Sequence, residues 1–394
     1  MFTLKFGNRI VMRDIFHTNY DKINLGDIVE SSISGNSSRI SADTTRDYRM
    51  IIRGHFDLSS EAAFLNSSIQ AIILKNPDGS SLLRISNFSS LDVGTLVSVG
   101  DALDLITSDV SAGVKLIGSN FSDVLTGYIG NDKILGGNGN DRLKGDTGDD
   151  LLYGQNGNDK LLGQDGDDTL FGGNQNDLLK GQNGDDRLYG QSGDDRLYGQ
   201  DGNDLLYGQG GNDRLYGLGG DDRLNGGSQN DRLYGGDGND YLDGKSGNDW
   251  LLGQGGDDTL VFNAADTLRV RGGSGIDTLE VTGSGVKINL TAINDGKQVI
   301  RGIEIIDLEG SGNNTLKLNI HDVLALPDGP DAFFSDGTTQ LLVKGDAGDV
   351  VNSAGQGWVQ GTDTDIGGIS YTPYTHASIS AQLLVETDIT QNIS

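Results

Sequence analysis

Large apolar residues recur with a period of nine through the middle of this chain. From Leu125 to Leu260 every ninth residue is Leu, apart from Ile134, and most positions between are polar or Gly. Gly118 to Val261 divides without insertion into sixteen nine-residue repeats such as GQNGDDRLY (Gly181–Tyr189). Position 1 is Gly and position 6 is Asp in all sixteen; position 4 is Gly in thirteen, with Phe121, Gln175 and Gln229 as exceptions. A fixed internal period of this kind marks a solenoid.

The positions predict the elements. Gly at positions 1 and 4 allows positive φ and close backbone approach, so the first six residues are expected to turn. Positions 7 to 9 then form a short strand. Neighbours on a strand face opposite ways, so Leu at position 8 points inward and positions 7 and 9 point out. Two repeats are needed to close a coil, which gives eight coils of eighteen residues and a parallel stack of roughly 38 Å at ~4.8 Å per coil. Position 9 supports the coil length. At spacing eighteen it reads Tyr153, Phe171, Tyr189, Tyr207 on one strand and Tyr198, Tyr216, Tyr234 on the other. Aromatic ladders of this kind stabilise neighbouring strands. Position 7 carries Arg196, Arg214 and Arg232 at the same spacing.

The flanks also predict strands. In residues 1–117, Phe2, Leu4 and Phe6 alternate with polar residues, and Ile69–Lys75 and Ser81–Ile85 flank the turn sequence Asn76-Pro77-Asp78-Gly79. This segment is expected to cap the first coil. After Val261 the register breaks. Gly272–Glu280 (GGSGIDTLE) is one more repeat with Asp277 at position 6, and a β-rich segment follows to residue 394. The expected domains are 1–117, 118–261 and 262–394.

Charge changes the picture. The formal net charge is −28, and 51 of the 57 acidic residues are Asp. The repeats hold 27 Asp, no Glu and 11 Lys or Arg, a net −16 over 144 residues. Such a balance disfavours nucleic acid. No apolar run reaches the ~18 residues of a membrane helix. Charges within Met1–Phe16 argue against a Sec-type signal peptide. Without Cys there is no disulfide framework, and His17, His55, His321 and His376 are too scattered in sequence for a His-rich zinc site.

Stacking the coils brings position-6 carboxylates together, which is prohibitive unless cations lie between them. Carboxylates with turn carbonyls form an all-oxygen, flexible cage, which favours Ca²⁺ over Mg²⁺. The candidate side-chain ligands are Asp123, Asp132, Asp141, Asp150, Asp159, Asp168, Asp177, Asp186, Asp195, Asp204, Asp213, Asp222, Asp231, Asp240, Asp249, Asp258 and Asp277. Sites near Gln175 and Gln229 are expected to be weaker. Folding and ion binding become one equilibrium.

The repeats resemble the RTX nonapeptide GGxGxDxUx, where U is a large apolar residue. The resemblance implies an all-β fold: a right-handed parallel β-roll of about eight two-repeat coils with β-rich N- and C-terminal caps. It also implies Ca²⁺ between successive turns on both sides, roughly fourteen ions in seven gaps a side. One departure is Gln at position 2 in seven repeats: Gln155, Gln164, Gln182, Gln191, Gln200, Gln209 and Gln254. The order IEIIDLEG, NTLKL, HDVLAL, LLVKGDAGDVV, Trp358, ISYTPYT and LLVE resembles the terminal module of bacterial RTX adhesins. Asp346 and Asp349 there are similar to half a repeat.

No enzyme is expected. No His pair has HExxH spacing and no GxSxG elbow occurs. The resemblance implies a secreted or surface-associated calcium-binding protein, exported by a type I secretion apparatus through an uncleaved C-terminal signal near Ser394. Its role would be adhesion, matrix or surface-layer assembly. The alternative is a non-catalytic secretion and folding module, or a calcium-dependent partner of a separately encoded enzyme that binds cell-surface or matrix polysaccharide. The outward Tyr and Arg columns motivate that alternative.

Overall fold

The computed structural model describes residues 38–43, 49–55, 68–75, 81–86, 113, 115–118 and 120–263, and then 269–393 except 284, 291–298, 311–312, 320, 322–338, 354–356 and 377–378. The fold is all-β, and the repeats coil as parallel β-solenoid turns, about nine across residues 115–281. By compactness the chain forms two units, Met1–Ser192 and Gly193–Ser394.

In the first unit, Ser38–Asp43, Arg49–His55, Ser68–Lys75 and Ser81–Ser86 form an antiparallel meander. The expected hairpin is present, with Leu74 opposite Leu83. Phe2, Leu4 and Phe6, the segment Met1–Phe16 and the turn Asn76–Gly79 lie outside the described residues. Ser81–Ser86 pairs antiparallel with Lys115–Ile117, which pairs parallel with Lys133–Asn138. One strand of the first coil is therefore covered by hydrogen-bonded neighbours, while the other, Val124–Ile129, pairs among the described residues only with Arg142–Thr147 and ends its sheet.

From there each strand pairs in parallel with the strand two repeats away. Leu143 faces Leu161 on one side of the coil and Leu152 faces Leu170 on the other, both at the expected offset of eighteen. Strands run for six residues, Lys160–Asp165 for example, and not the three expected. The chain keeps pairing with the next coil through positions 2 and 3, as Gln164 with Gln182 and Asp165 with Asn183 show. Position 8 fills the interior: Leu152, Leu161, Leu170, Leu179 and Leu188 are wholly buried. One Leu supplies about 1.5–3 kcal/mol by burial. That is a thin core for nine ordered residues. On the outside, Tyr153, Phe171 and Tyr189 stack face to face, with centroids 4.9 and 4.8 Å apart.

The second unit repeats this architecture, with Leu215 opposite Leu233 and Leu224 opposite Leu242. Tyr198, Tyr216 and Tyr234 stack at 4.7 Å. The one-residue break after Val261 is absorbed as an offset of nineteen, Leu260 facing Leu279. The parallel ladder continues beyond the nonapeptides. Thr278–Val281 pairs with Ile305–Asp307, then Thr339–Lys344, then Ile379–Glu386. A second parallel ladder joins Lys287–Asn289, Thr315–Lys317, Val350–Ser353 and Thr390–Ile393. The segments IEIIDLEG, NTLKL, LLVKGDAGDVV and LLVE are thus further rungs. The Trp358–Gln360 and Thr364–Ile366 strands leave the ladder to pair antiparallel with Ile369–His376. Trp358 is buried and its Nε1 donates to Ser353 Oγ at 3.0 Å. Of HDVLAL only His321 lies among the described residues, and Ser394 lies outside them. Among the described residues no helix is long and apolar enough to cross a membrane.

Candidate metal centre

The turn geometry differs from the expectation at one position. Positive φ falls at positions 2 and 4, not at 1 and 4. Position 4 glycines such as Gly166 and Gly202 have φ of 127° and 135°. Position 2 is left-handed even without Gly: Gln155 at 81°, Gln200 at 95°, Leu218 at 87°, Lys245 at 64°. Such backbone costs energy in non-Gly residues and persists only where surroundings impose it. Gln175 and Gln229, which replace Gly at position 4, adopt the same turn at 78° and 80°. The Asp residues of their repeats, Asp177 and Asp231, are as buried as the rest.

Position 1 is Gly for a different reason. In the second unit, the point where a Cβ on Gly208 would sit lies within 2.6 Å of both Asp213 Oδ2 and the Gly226 carbonyl oxygen. Gly217, with Asp222 Oδ2 and the Gly235 carbonyl, and Gly253, with Asp258 Oδ2 and the Gly272 carbonyl, repeat this within 2.7 Å. In the first unit Gly154 sits likewise against Asp159 Oδ2 and the Gly172 carbonyl. Two oxygens from successive coils converge where any larger residue would intrude.

The position-6 carboxylate divides its two oxygens. One serves the fold. Oδ1 accepts the backbone N–H of the position-6 Asp one coil earlier: Asp141, Asp150, Asp159, Asp168, Asp177 and Asp186 from Asp123, Asp132, Asp141, Asp150, Asp159 and Asp168 in the first unit, at 2.7–2.8 Å. In the second unit Asp213, Asp222, Asp231, Asp240, Asp249, Asp258 and Asp277 do the same at 2.7–2.9 Å. The other oxygen is left over. Oδ2 is buried without a hydrogen-bond partner in Asp141, Asp150, Asp159, Asp168, Asp213, Asp222, Asp231, Asp240, Asp258 and Asp277. From Asp132 to Asp277 these residues are at most 4% exposed, and Asp123 is half-buried at the roll's start.

A buried carboxylate oxygen without a partner carries a large desolvation penalty. Burial therefore pushes the acids up from 3.8, to about 8 for Asp150, Asp222 and Asp231 and to about 7 for Asp141, Asp168, Asp240, Asp258 and Asp277. Asp213 rises to about 6. In each case the donated backbone N–H opposes the rise, and neighbouring carboxylates add to it. A run of acids that resists ionisation in the bare fold is matched to a cation.

The donor set fits Ca²⁺. Each cradle offers a hard carboxylate oxygen and a main-chain carbonyl, the oxygen donors that Ca²⁺ takes. Among the described residues no three acidic, His or Cys side chains converge. A shell here would take one Asp per repeat and draw its other oxygens from the main chain. Held there, Ca²⁺ would neutralise the buried carboxylates and tie one coil to the next.

The last rungs show a position whose carboxylate has no oxygen to spare. Asp277 N donates to Glu304 Oε2, and Asn314 N to Asp349 Oδ1. Asp349 Oδ2 accepts from Asp346 N at 2.8 Å, so both its oxygens are engaged.

Sequence reasoning missed position 5. It is Asn or Asp in fifteen of the sixteen repeats, with Ser122 in the first. Its side chain accepts the backbone N–H of position 5 one coil later, as from Asp149 to Asn131 and from Asp221 to Asn203. The composition is visible in the sequence, but the direction of the bond requires the coil.

A family model described as the RTX calcium-binding nonapeptide repeat (4 copies) matches residues 115–143, 135–170, 144–179, 180–215, 198–233, 216–251 and 234–266. Residues 115–266 are RTX repeats. These RTX repeats are calcium-binding, and proteins that carry them are typically secreted. No curated relative matches the chain.

Proposed function

We propose that this RTX protein works outside the cell, where the position-6 Asp residues from Asp123 to Asp258, with Asp277, take up Ca²⁺ and thereby fold the roll. The buried, unpartnered Oδ2 facing a carbonyl of the next coil carries this reading. Free Ca²⁺ inside a cell lies far below the ~10⁻⁴–10⁻³ M range of extracellular calcium modules. The chain then stays unfolded until after export, which suits a type I secretion apparatus. The assembled roll serves adhesion, matrix or surface-layer assembly and carries no catalytic site of its own. Far-UV circular dichroism at neutral pH tests the folding step. β signal is expected in Ca²⁺ and is expected to collapse in EDTA; an unchanged spectrum and melting temperature would refute it.

A second reading, an accessory that binds polysaccharide, is favoured by one observation. Arg196, Arg214 and Arg232 are in parallel register two residues from the stacked Tyr198, Tyr216 and Tyr234. The column ends with the Arg232 guanidinium 4.9 Å from the Trp250 ring. Stacked like charges beside aromatic edges suit an extended anionic glycan.

A further inference from the structure

The aromatic column on the opposite side of the second unit is interrupted. Tyr207 is followed one coil on by Asn225, and Asn225 by Asp243. Where a ring would occupy the rung, a cavity of about 130 Å³ opens at the surface, lined by Tyr207, Arg223, Asn225, Tyr241, Asp243 and Lys245. Its volume is close to the ~150 Å³ that accommodates a single benzene ring.

The lining is rich in donors. Asp243 is buried and both its oxygens face Lys245: Oδ1 accepts the backbone N–H at 2.9 Å and Oδ2 meets Nζ at 2.6 Å. This carboxylate is therefore neutralised within the wall. The Arg223 guanidinium lies 4.6 Å from the Tyr241 ring centroid. Stacking on a ring face leaves its N–H edges for an acceptor. Tyr241 is itself anchored by a hydrogen bond between its hydroxyl and Glu280. Asn225 offers both a donor and an acceptor. The site thus presents two cations, Arg223 and Lys245, set against the carboxylates of Asp243 and Glu280, with two tyrosines and an amide around a one-ring space.

We infer that this cavity binds a six-membered sugar ring bearing a carboxylate, a uronate, either free or as a residue of a polyuronate chain. The carboxylate meets Arg223 and the free N–H bonds of Lys245. The hydroxyls pair with Asn225, and the C–H face of the sugar lies on tyrosine. The inference deepens the accessory reading and requires the roll to be folded.

The test is isothermal titration of the full chain in Ca²⁺ with D-glucuronate, D-glucose, benzoate and trigalacturonate, with circular dichroism on the same samples. Glucuronate is expected to bind, and glucose about tenfold more weakly for loss of the charge-assisted bond. Arg223→Gln is expected to weaken glucuronate by a similar factor. Asn225→Tyr restores the missing rung, fills the cavity and is expected to abolish binding with the β spectrum retained. Tighter binding of trigalacturonate assigns the site to a chain, and equal affinity assigns it to a single sugar. The inference is overturned if a folded, calcium-loaded protein binds neither uronate, binds glucose or benzoate as well as glucuronate, or binds glucuronate unchanged in both variants. Failure to fold in Ca²⁺ would instead count against the calcium reading and is seen separately in the spectrum.

Discussion

In EDTA, the repeats are expected to keep their β structure near pH 4 and lose it by about pH 8, and Ca²⁺ is expected to reverse that order. The sign follows from the raised acids. Asp150, Asp222 and Asp231 move from 3.8 to about 8, and six others to about 6 or 7. A folded-state pKa above the unfolded value stabilises the fold fully below the unfolded pKa, and the benefit disappears as pH rises through the folded one. Without metal the window of loss is therefore about pH 4 to 8. Each tenfold change in a group's acidity corresponds to about 1.4 kcal/mol. A domain holds only about 5–15 kcal/mol in total. Nine acids ionising together exceed that even after a large discount for solvent screening. With Ca²⁺ the ionised form is the ligand, protons compete with the ion, and stability falls as the solution is acidified. Far-UV melts across pH with and without Ca²⁺ check this. Two curves sloping the same way would show that these carboxylates do not hold the ion.

The second large effect separates the two oxygens of one residue. Asp222→Asn combined with Asp240→Asn keeps the Oδ1 acceptors for the Asp204 and Asp222 amides. It removes two of the carboxylates that burial pushes up. In EDTA near pH 5, where the bare roll still keeps β structure and the raised acids already weaken it, the double variant is expected to melt higher than the parent. In Ca²⁺ it is expected to melt lower, because two ligands are lost. Asp222→Ala removes both functions: in EDTA it is expected to melt lower than Asp222→Asn, by about 1–3 kcal/mol for the orphaned amide, and in Ca²⁺ lower than the parent. If the Asn variant in Ca²⁺ melts as the parent does, Oδ2 is not a ligand.

Much of this architecture is visible in the order of residues. Leu125 to Leu260 at period nine gives the interior, and Tyr198, Tyr216 and Tyr234 at spacing eighteen give the coil length, which the stacked rings reproduce. The constant Asp also points to the cation. Four features depend on coordinates that periodicity does not contain. Position 1 is Gly because an Asp oxygen and a carbonyl crowd its Cα; its own φ is not left-handed, and the left-handed residue is the Gln beside it. The split between Oδ1 and Oδ2 depends on which amide of the previous coil lies opposite. The ladder also outlasts the repeats: Leu279 pairs with Ile306 at an offset of twenty-seven, where no nonapeptide register remains to announce it. Asn225 breaks the aromatic column in plain view, but only packing shows that the space stays open.

Folding of the roll and binding of its many calcium ions are proposed to be a single event. Equilibrium dialysis of the full chain against Ca²⁺ at neutral pH, with dichroism on the same samples, measures both at once. The expected result is steep uptake of many ions per chain, roughly fourteen from the repeats alone, rising together with the β signal. Uptake of one or two ions, or uptake with the β signal already complete at zero calcium, would contradict it.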